Sequence, residues 1–293
     1  MEKAYTLGLY EKSMPSVLDW KEKLETAKEA GFDFVEMSID ETDEKLKRLD
    51  MSQAERMEMV NLMKIVGMPV RTMCLSGHRK YPLGSHDPAI RGKGMEIMKK
   101  AIQLADDLGI RIIQLAGYDV YYEDSNEETI GYFLENLKKA TEMAARAGVV
   151  LGFETMETEF MNTVEKSMKY VNQISSIYLN VYPDIGNITN ATKTYGTDVL
   201  EDLRKGRGHL AAMHLKETKP GIFREVPFGE GHVDFEKAIK TAWELGVRKF
   251  VTEFWYTGNP QWKQDLADAN RRMTKILDAQ QNGGSYGERK ASA

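Results

Sequence analysis

Along the chain, segments of helical period that end in glycine alternate with short, nearly continuous apolar runs. Five junctions carry the pattern: Ala30-Gly31-Phe32, Val66-Gly67-Met68, Leu108-Gly109-Ile110, Ala147-Gly148-Val149 and Leu245-Gly246-Val247. A glycine just past a helix supplies the left-handed conformation that closes its last turn. The runs that follow, at 32–37, 70–75, 110–116, 149–153 and 250–252, are largely apolar. Strands buried on both faces of a parallel sheet have that character. Runs at 6–10, 178–182 and 210–215 fit the same role.

The segments between them read as helices. Asp87-Pro88 offers an N-cap and a first-turn proline, after which Ile97, Ala101, Leu104 and Leu108 share one face. Ser52 with Glu55 and Ser125 with Glu128 match the capping-box spacing. The landmarks Leu9, Glu36, Cys74, Leu115, Glu154, Asp184, His214 and Glu253 follow one another at intervals of 27 to 41 residues. That is one strand and one helix per step, which predicts a single (β/α)8 TIM barrel over residues 1–281. The Gly/Ser-rich stretch 282–293 reads as a disordered tail. An open doubly wound sheet usually carries a glycine-rich phosphate turn after its first strand, and none follows 6–10 here.

Composition narrows the class. Lys and Arg number 40 against 45 Asp and Glu, a net charge of −5, which argues against a general nucleic-acid binder. The single cysteine, Cys74, excludes an intrachain disulfide and a cysteine-based zinc site. No apolar leader opens the chain, and no apolar run approaches the ~20 residues of a membrane span. A soluble cytoplasmic protein without a membrane or nucleic-acid partner is expected.

In such a barrel, chemistry sits at the C-terminal ends of the strands. The fifth run leads into Glu154, the sixth into Asp184, the seventh into His214 and the eighth into Glu253. Three carboxylates and an imidazole on one rim suit a single divalent ion such as Mn2+, Co2+, Zn2+ or Mg2+. Without a cation, the clustered carboxylates would repel one another. Glu36 ends the second run. Two following loops are rich in cations, with His78, Arg79 and Lys80 in one and Lys216, Lys219 and Arg224 in the other. These are residue types that hold a phosphate. The candidates for that anion are Arg79, Lys216, Lys219 and Arg224, with His78 and Lys12 behind them. The loop from Phe228 to Asp234 reads as a rigid turn without chemistry. The run of Met51, Met57, Met59, Met63 and Met68 reads as helix packing.

Several longer segments carry a resemblance. They are Gly31-Phe32-Asp33-Phe34-Val35-Glu36-Met37-Ser38, Cys74-Leu75-Ser76-Gly77-His78-Arg79, Tyr81-Pro82-Leu83-Gly84-Ser85, the stretch from Gln114 to Tyr122, Tyr182-Pro183-Asp184-Ile185-Gly186-Asn187 and Val226-Pro227-Phe228-Gly229-Glu230-Gly231. Through these the chain resembles the sugar-phosphate 3-epimerases of the xylose isomerase-like barrel superfamily, in particular the L-ribulose-5-phosphate (L-xylulose-5-phosphate) 3-epimerases. The resemblance runs to about residue 280. It implies a metal-dependent 3-epimerase of a ketopentose 5-phosphate, acting in pentose and ascorbate breakdown, and a homodimer is expected. The superfamily's four ligands fall on Glu154, Asp184, His214 and Glu253. Related free-ketose epimerases carry a second histidine after the ligand aspartate and an arginine after the ligand histidine. Here those regions hold Gly186-Asn187 and Lys216, Thr218 and Lys219, which fits a phosphorylated substrate. Epimerisation at C3 needs a base on each face of the sugar. Glu154 and Glu253 are the candidates, with Glu157 positioning a hydroxyl or orienting Glu154. The alternative is a metal-dependent aldose–ketose isomerase of the hexulose-phosphate or hydroxypyruvate type, moving hydrogen between C1 and C2 on the same barrel.

Overall fold

A computed structural model describes residues 2–288, with side chains to residue 283. Eight parallel strands are joined by helices: β1 (Thr6–Tyr10), β2 (Phe34–Ile39), β3 (Val70–Leu75), β4 (Ile112–Ala116), β5 (Val150–Glu154), β6 (Leu179–Tyr182), β7 (Met213–Leu215) and β8 (Lys249–Thr252). Their order in the sheet is β6-β5-β4-β3-β2-β1-β8-β7. The ring is nearly closed between β6 and β7. Parallel bridges join Val181 to Leu210 and Asp184 to His214, and the Ala211 and His214 amides donate to the carbonyls of Val181 and Pro183 at 2.9 Å. The barrel expectation holds, and the open doubly wound alternative does not. β7 is shorter than the run at 210–215 suggests, because its first residues make only the isolated bridge.

The outer helices are α1 (Trp20–Glu29), α2 (Asp43–Lys47), α3 (Gln53–Val66), α4 (Pro88–Leu108), α5 (Glu127–Ala147), α6 (Val164–Ile174), α7 (Ile185–Tyr195), α8 (Val199–Lys205), α9 (Phe235–Glu244) and α10 (Trp262–Glu288). The five junction glycines all take a positive φ. Asp87 caps α4 through the Ala89 amide at 2.7 Å, and Ser52 and Glu55 form the expected box. The second box sits one residue further on. Asn126 is the cap and Thr129 its partner, because Ser125 is turned away to donate to Asp119 at 2.8 Å. Met59, Met63 and Met68 pack in the core, whereas Met57 is exposed. The segment expected as a tail from 282 continues α10 as far as Glu288, and 289–293 lie outside the described residues.

Strand alternation separates two apolar spaces. The larger lies between sheet and helices. The smaller fills the barrel lumen with Tyr10, Phe34, Cys74, Ile112, Tyr182, Ala212 and Val251. The Phe34 ring lies over Gly8, where a Cβ would come within 2.4 Å of it. Above this apolar plug the inward positions turn polar, with Glu36, Thr72, Gln114, Glu154 and His214 all buried.

One buried charge cluster pins the strand ends to the helices. Glu11, at the end of β1, is 1% exposed. Its carboxylate accepts from Lys23 of α1 at 2.8 Å, Lys45 of α2 at 2.6 Å, Arg48 at 2.6 and 2.7 Å, and the Ser38 amide at 2.9 Å. Burial works to raise this carboxyl, but Arg48, Lys45 and Lys23 outweigh it and hold it well below the usual range. Removing one member of such a set strands the others. Glu11→Gln is therefore expected to cost about 3–5 kcal/mol in chemical denaturation at pH 7. A depressed carboxyl stabilises the fold above its unfolded value of roughly 4.3 and loses that contribution as the pH falls. The gap between wild type and variant should accordingly close on acidification. Equal stability at pH 7 would show that the cluster does not hold the fold.

Candidate metal centre and substrate cavity

The last four strands of the ring deliver the predicted groups. Glu154 is the last residue of β5, Asp184 caps α7 after β6, His214 is central in β7 and Glu253 follows β8. All four are buried, and one ligand atom from each lies within 4.8 Å of the others. Backbone bonds fix the spacing. Asp184 takes the Asn187 amide on Oδ1 at 2.7 Å, and the Glu253 amide donates to Leu215 at 3.0 Å.

The imidazole is oriented from below. His214 Nε2 lies 2.6 Å from Glu36 Oε1, and Glu36 Oε2 also accepts from Thr72 at 2.7 Å and Tyr182 at 2.9 Å. With Nε2–H directed to Glu36, Nδ1 faces the other acids, 2.9 Å from Glu253, 3.7 Å from Glu154 and 3.9 Å from Asp184. A carboxylate behind a histidine is the usual support of a metal-ligating imidazole. Gln114 approaches Nδ1 at 3.1 Å. Lys216 brings its ammonium to 3.0 Å from Asp184 Oδ2 and 3.7 Å from Glu253 Oε2.

Four buried carboxylates thus face at most two cations, His214 and Lys216. Burial, then Glu253, lifts the Glu154 carboxyl above its ordinary value. Burial also lifts Asp184 strongly, with Lys216 opposing and Glu253 adding. On Glu253 burial acts upward too, but Lys216 and His214 hold it well below the usual range. Acids driven apart in this way mark an excess of negative charge. Asp184 Oδ2 and Glu253 Oε2 are buried without a well-formed hydrogen bond. The donor set and its charge therefore fit one divalent ion.

Above the centre opens a cavity of about 80 Å³, small beside the ~300–1,000 Å³ of drug-sized sites. Glu154, Glu253, Asn187, Lys216, Lys12, Ser76, Arg79, Glu157, Arg224 and Trp255 are among its lining residues. Larger clefts, such as one of about 550 Å³ bordered by residues of α6 and α8, lie away from the centre.

Not every candidate reaches this cavity. Glu36 is fully buried beneath it and serves His214. His78 is buried against the Gly94 carbonyl at 3.1 Å, and burial pushes it down to about 4, so it carries no charge for an anion. Lys219 is half-exposed in a hairpin beside Glu230 at 3.7 Å, outside the cavity. Lys12 lines the cavity but pairs with Asp40 at 2.5 Å. Arg224 pairs with Glu157 at 3.0 Å, and Tyr121 also donates to Glu157 at 3.3 Å. Arg79 packs over the Tyr121 ring at 4.7 Å. No carboxylate among the described residues is within ion-pair distance of it, and its Nε is buried without a partner.

Some contributors escaped the sequence. Gln114 is an ordinary strand residue until it meets a histidine 100 positions away. Asn187 is nearly fully buried in the cavity wall, donating to the Thr155 carbonyl at 2.7 Å while its Oδ1 is free to accept. Its place three residues after Asp184 is the one signal that could have found it. The Phe228–Asp234 loop is held by Glu217, whose buried carboxylate accepts the Gly229 and Val233 amides at 3.0 and 3.1 Å. A Cβ at Gly231 would fall 2.2 Å from the same carboxylate.

Comparison with known proteins gives concordant results. The family model described as xylose isomerase-like TIM barrel matches residues 24–276. The chain is 48% identical over 256 residues to the L-ribulose-5-phosphate 3-epimerase UlaE of Shigella boydii serotype 18, covering 87% of this chain and 89% of that one. Among solved structures, a D-tagatose 3-epimerase-like protein superposes with a TM-score of 0.78 at 17% identity, over 95% of this chain and 99% of its own. An L-ribulose 3-epimerase gives 0.76 at 18%, over 99% and 98%. At those identities the structures speak for the fold.

Proposed function

The chain belongs to the xylose isomerase-like TIM barrel family, and from that membership we propose that it is a metal-dependent 3-epimerase interconverting L-xylulose 5-phosphate and L-ribulose 5-phosphate. The supporting observation is the convergence of Glu154, Asp184, His214 and Glu253 on one point, with Glu154 and Glu253 also lining the cavity. It occurs in a chain 48% identical, over 87% of its length, to a protein named for this epimerisation.

The chemistry requires loss of the weakly acidic C3 proton beside the C2 carbonyl and return of a proton to the opposite face. A divalent ion held by Glu154, Asp184, His214 and Glu253 would supply positive charge to stabilise the negative charge that develops on the sugar. The chain's own residues do the rest. β5, β6, β7 and β8 are consecutive round the ring, so Glu154 and Glu253 bracket Asp184 and His214. One glutamate takes the proton from its face, and the other delivers a proton from the opposite side. Burial raises the Glu154 carboxyl, which favours its accepting a proton, whereas Lys216 and His214 hold Glu253 as the carboxylate. Asn187 Oδ1 is free to accept from a sugar hydroxyl, and Glu157 holds Arg224 at the mouth.

Two experiments test this. Wild-type enzyme turning over pentulose 5-phosphate in D2O should place deuterium at C3, seen by NMR, whereas label at C1 would instead indicate aldose–ketose isomerisation. Glu154→Gln and Glu253→Gln should each lose about 10²–10⁴-fold in epimerisation. Each should still exchange the C3 proton of one epimer, and the two variants should serve opposite epimers. If both retain the ion and neither exchanges either epimer, the two-base assignment is wrong.

The phosphate we assign to Arg79. It is the cavity cation left without a carboxylate partner, and its guanidinium is fixed on Tyr121. A charge-assisted bond to a phosphate is worth about 1.5–3 kcal/mol. Arg79→Ala should therefore lower kcat/KM for the phosphorylated sugar by roughly 10–100-fold. It should leave the rate with the unphosphorylated sugar nearly unchanged. Equal losses on both substrates would place the phosphate elsewhere.

A further inference from the structure

Lys216 lies two residues beyond His214, on the same inward face, and is almost wholly buried. Its ammonium stands 3.0 Å from Asp184 Oδ2 and 3.7 Å from Glu253 Oε2. These same two oxygens are buried without a well-formed hydrogen bond, and they belong to the proposed ligand set. The Trp255 ring lies 5.9 Å from the ammonium. A lysine reserved for a phosphate would keep its ammonium free of carboxylates. This one is directed into the acids.

We propose that Lys216 is a positioning residue that competes with the divalent ion for Asp184 Oδ2 and Glu253 Oε2. It keeps the carboxylates gathered when no ion is bound, and it weakens the hold on the ion when one is. Two cations drawn to the same pair of oxygens repel each other at short range. A fixed internal cation therefore sets the affinity of the centre below what its ligands alone would give. The inference rests on the proposal that the four ligands bind a divalent ion.

The sign of the effect separates this role from a merely structural one. Damage to the site by any ordinary route weakens ion binding, whereas removal of a competitor strengthens it. Mn2+ affinity is to be measured by calorimetric titration of metal-free wild type, Lys216→Met, Lys216→Gln and Lys216→Arg, with folding checked by circular dichroism. Either folded neutral variant should bind Mn2+ about tenfold more tightly than wild type. Lys216→Arg, which keeps the charge, should stay close to wild type. The metal-free neutral variants should melt at a lower temperature and regain more on adding Mn2+. If wild type binds Mn2+ and the neutral variants bind it equally or more weakly, Lys216 is not a competitor. If wild type binds no Mn2+, the metal proposal itself fails and this inference falls with it.

Discussion

Like charges can share a dry space only where something of opposite sign holds them there, and this constraint organises the catalytic end of the barrel. Glu36, Glu154, Asp184 and Glu253 are all buried within reach of one imidazole. Little water reaches them, so their repulsion is strong and their desolvation is met only in part by hydrogen bonds. His214 and Lys216 neutralise part of the set. The remaining negative charge suits a divalent cation.

The rest of the fold supplies rigidity for that placement. The apolar plug of Phe34, Tyr182 and Val251 fills the lumen below, so the four polar side chains stand on a packed floor. The bridge between Asp184 and His214 closes the ring at the centre itself, which couples barrel closure to the spacing of these two side chains. Glu11 does comparable work at the first strand with its signs reversed, one carboxylate gathering three cations. Glu217 ties down the loop beyond β7 through backbone amides. Buried carboxylates are thus the structural fasteners of this rim as well as its proposed chemistry.

Much of this was legible in the sequence because it is local. Glycine after a helix, an apolar run and a polar residue at its end recur within each unit, and that rhythm identified the strands and the four residues from Glu154 to Glu253. Properties that depend on distant partners were not legible. Glu36 reads as a rim acid until the ring closes and places it under His214, 178 positions away. His78 and Lys219 look like anion ligands in a basic loop, yet one turns into the core and the other stays outside on a hairpin. Lys216 continues the inward alternation of β7, whereas Lys219 lies further on, in the hairpin beyond the strand. The choice between Ser125 and Asn126 as helix cap turned on Asp119, which claims the serine hydroxyl.

The central claim is that the four strand-end residues are gathered around one divalent ion. It is tested most directly by crystals of the protein grown with Mn2+, using data collected on both sides of the manganese absorption edge. A single anomalous peak bounded by Glu154, Asp184, His214 Nδ1 and Glu253 is expected, with Glu36 still bonded to Nε2. A peak elsewhere, or Mn2+-saturated crystals whose only cation at the four residues is the Lys216 ammonium, would contradict it.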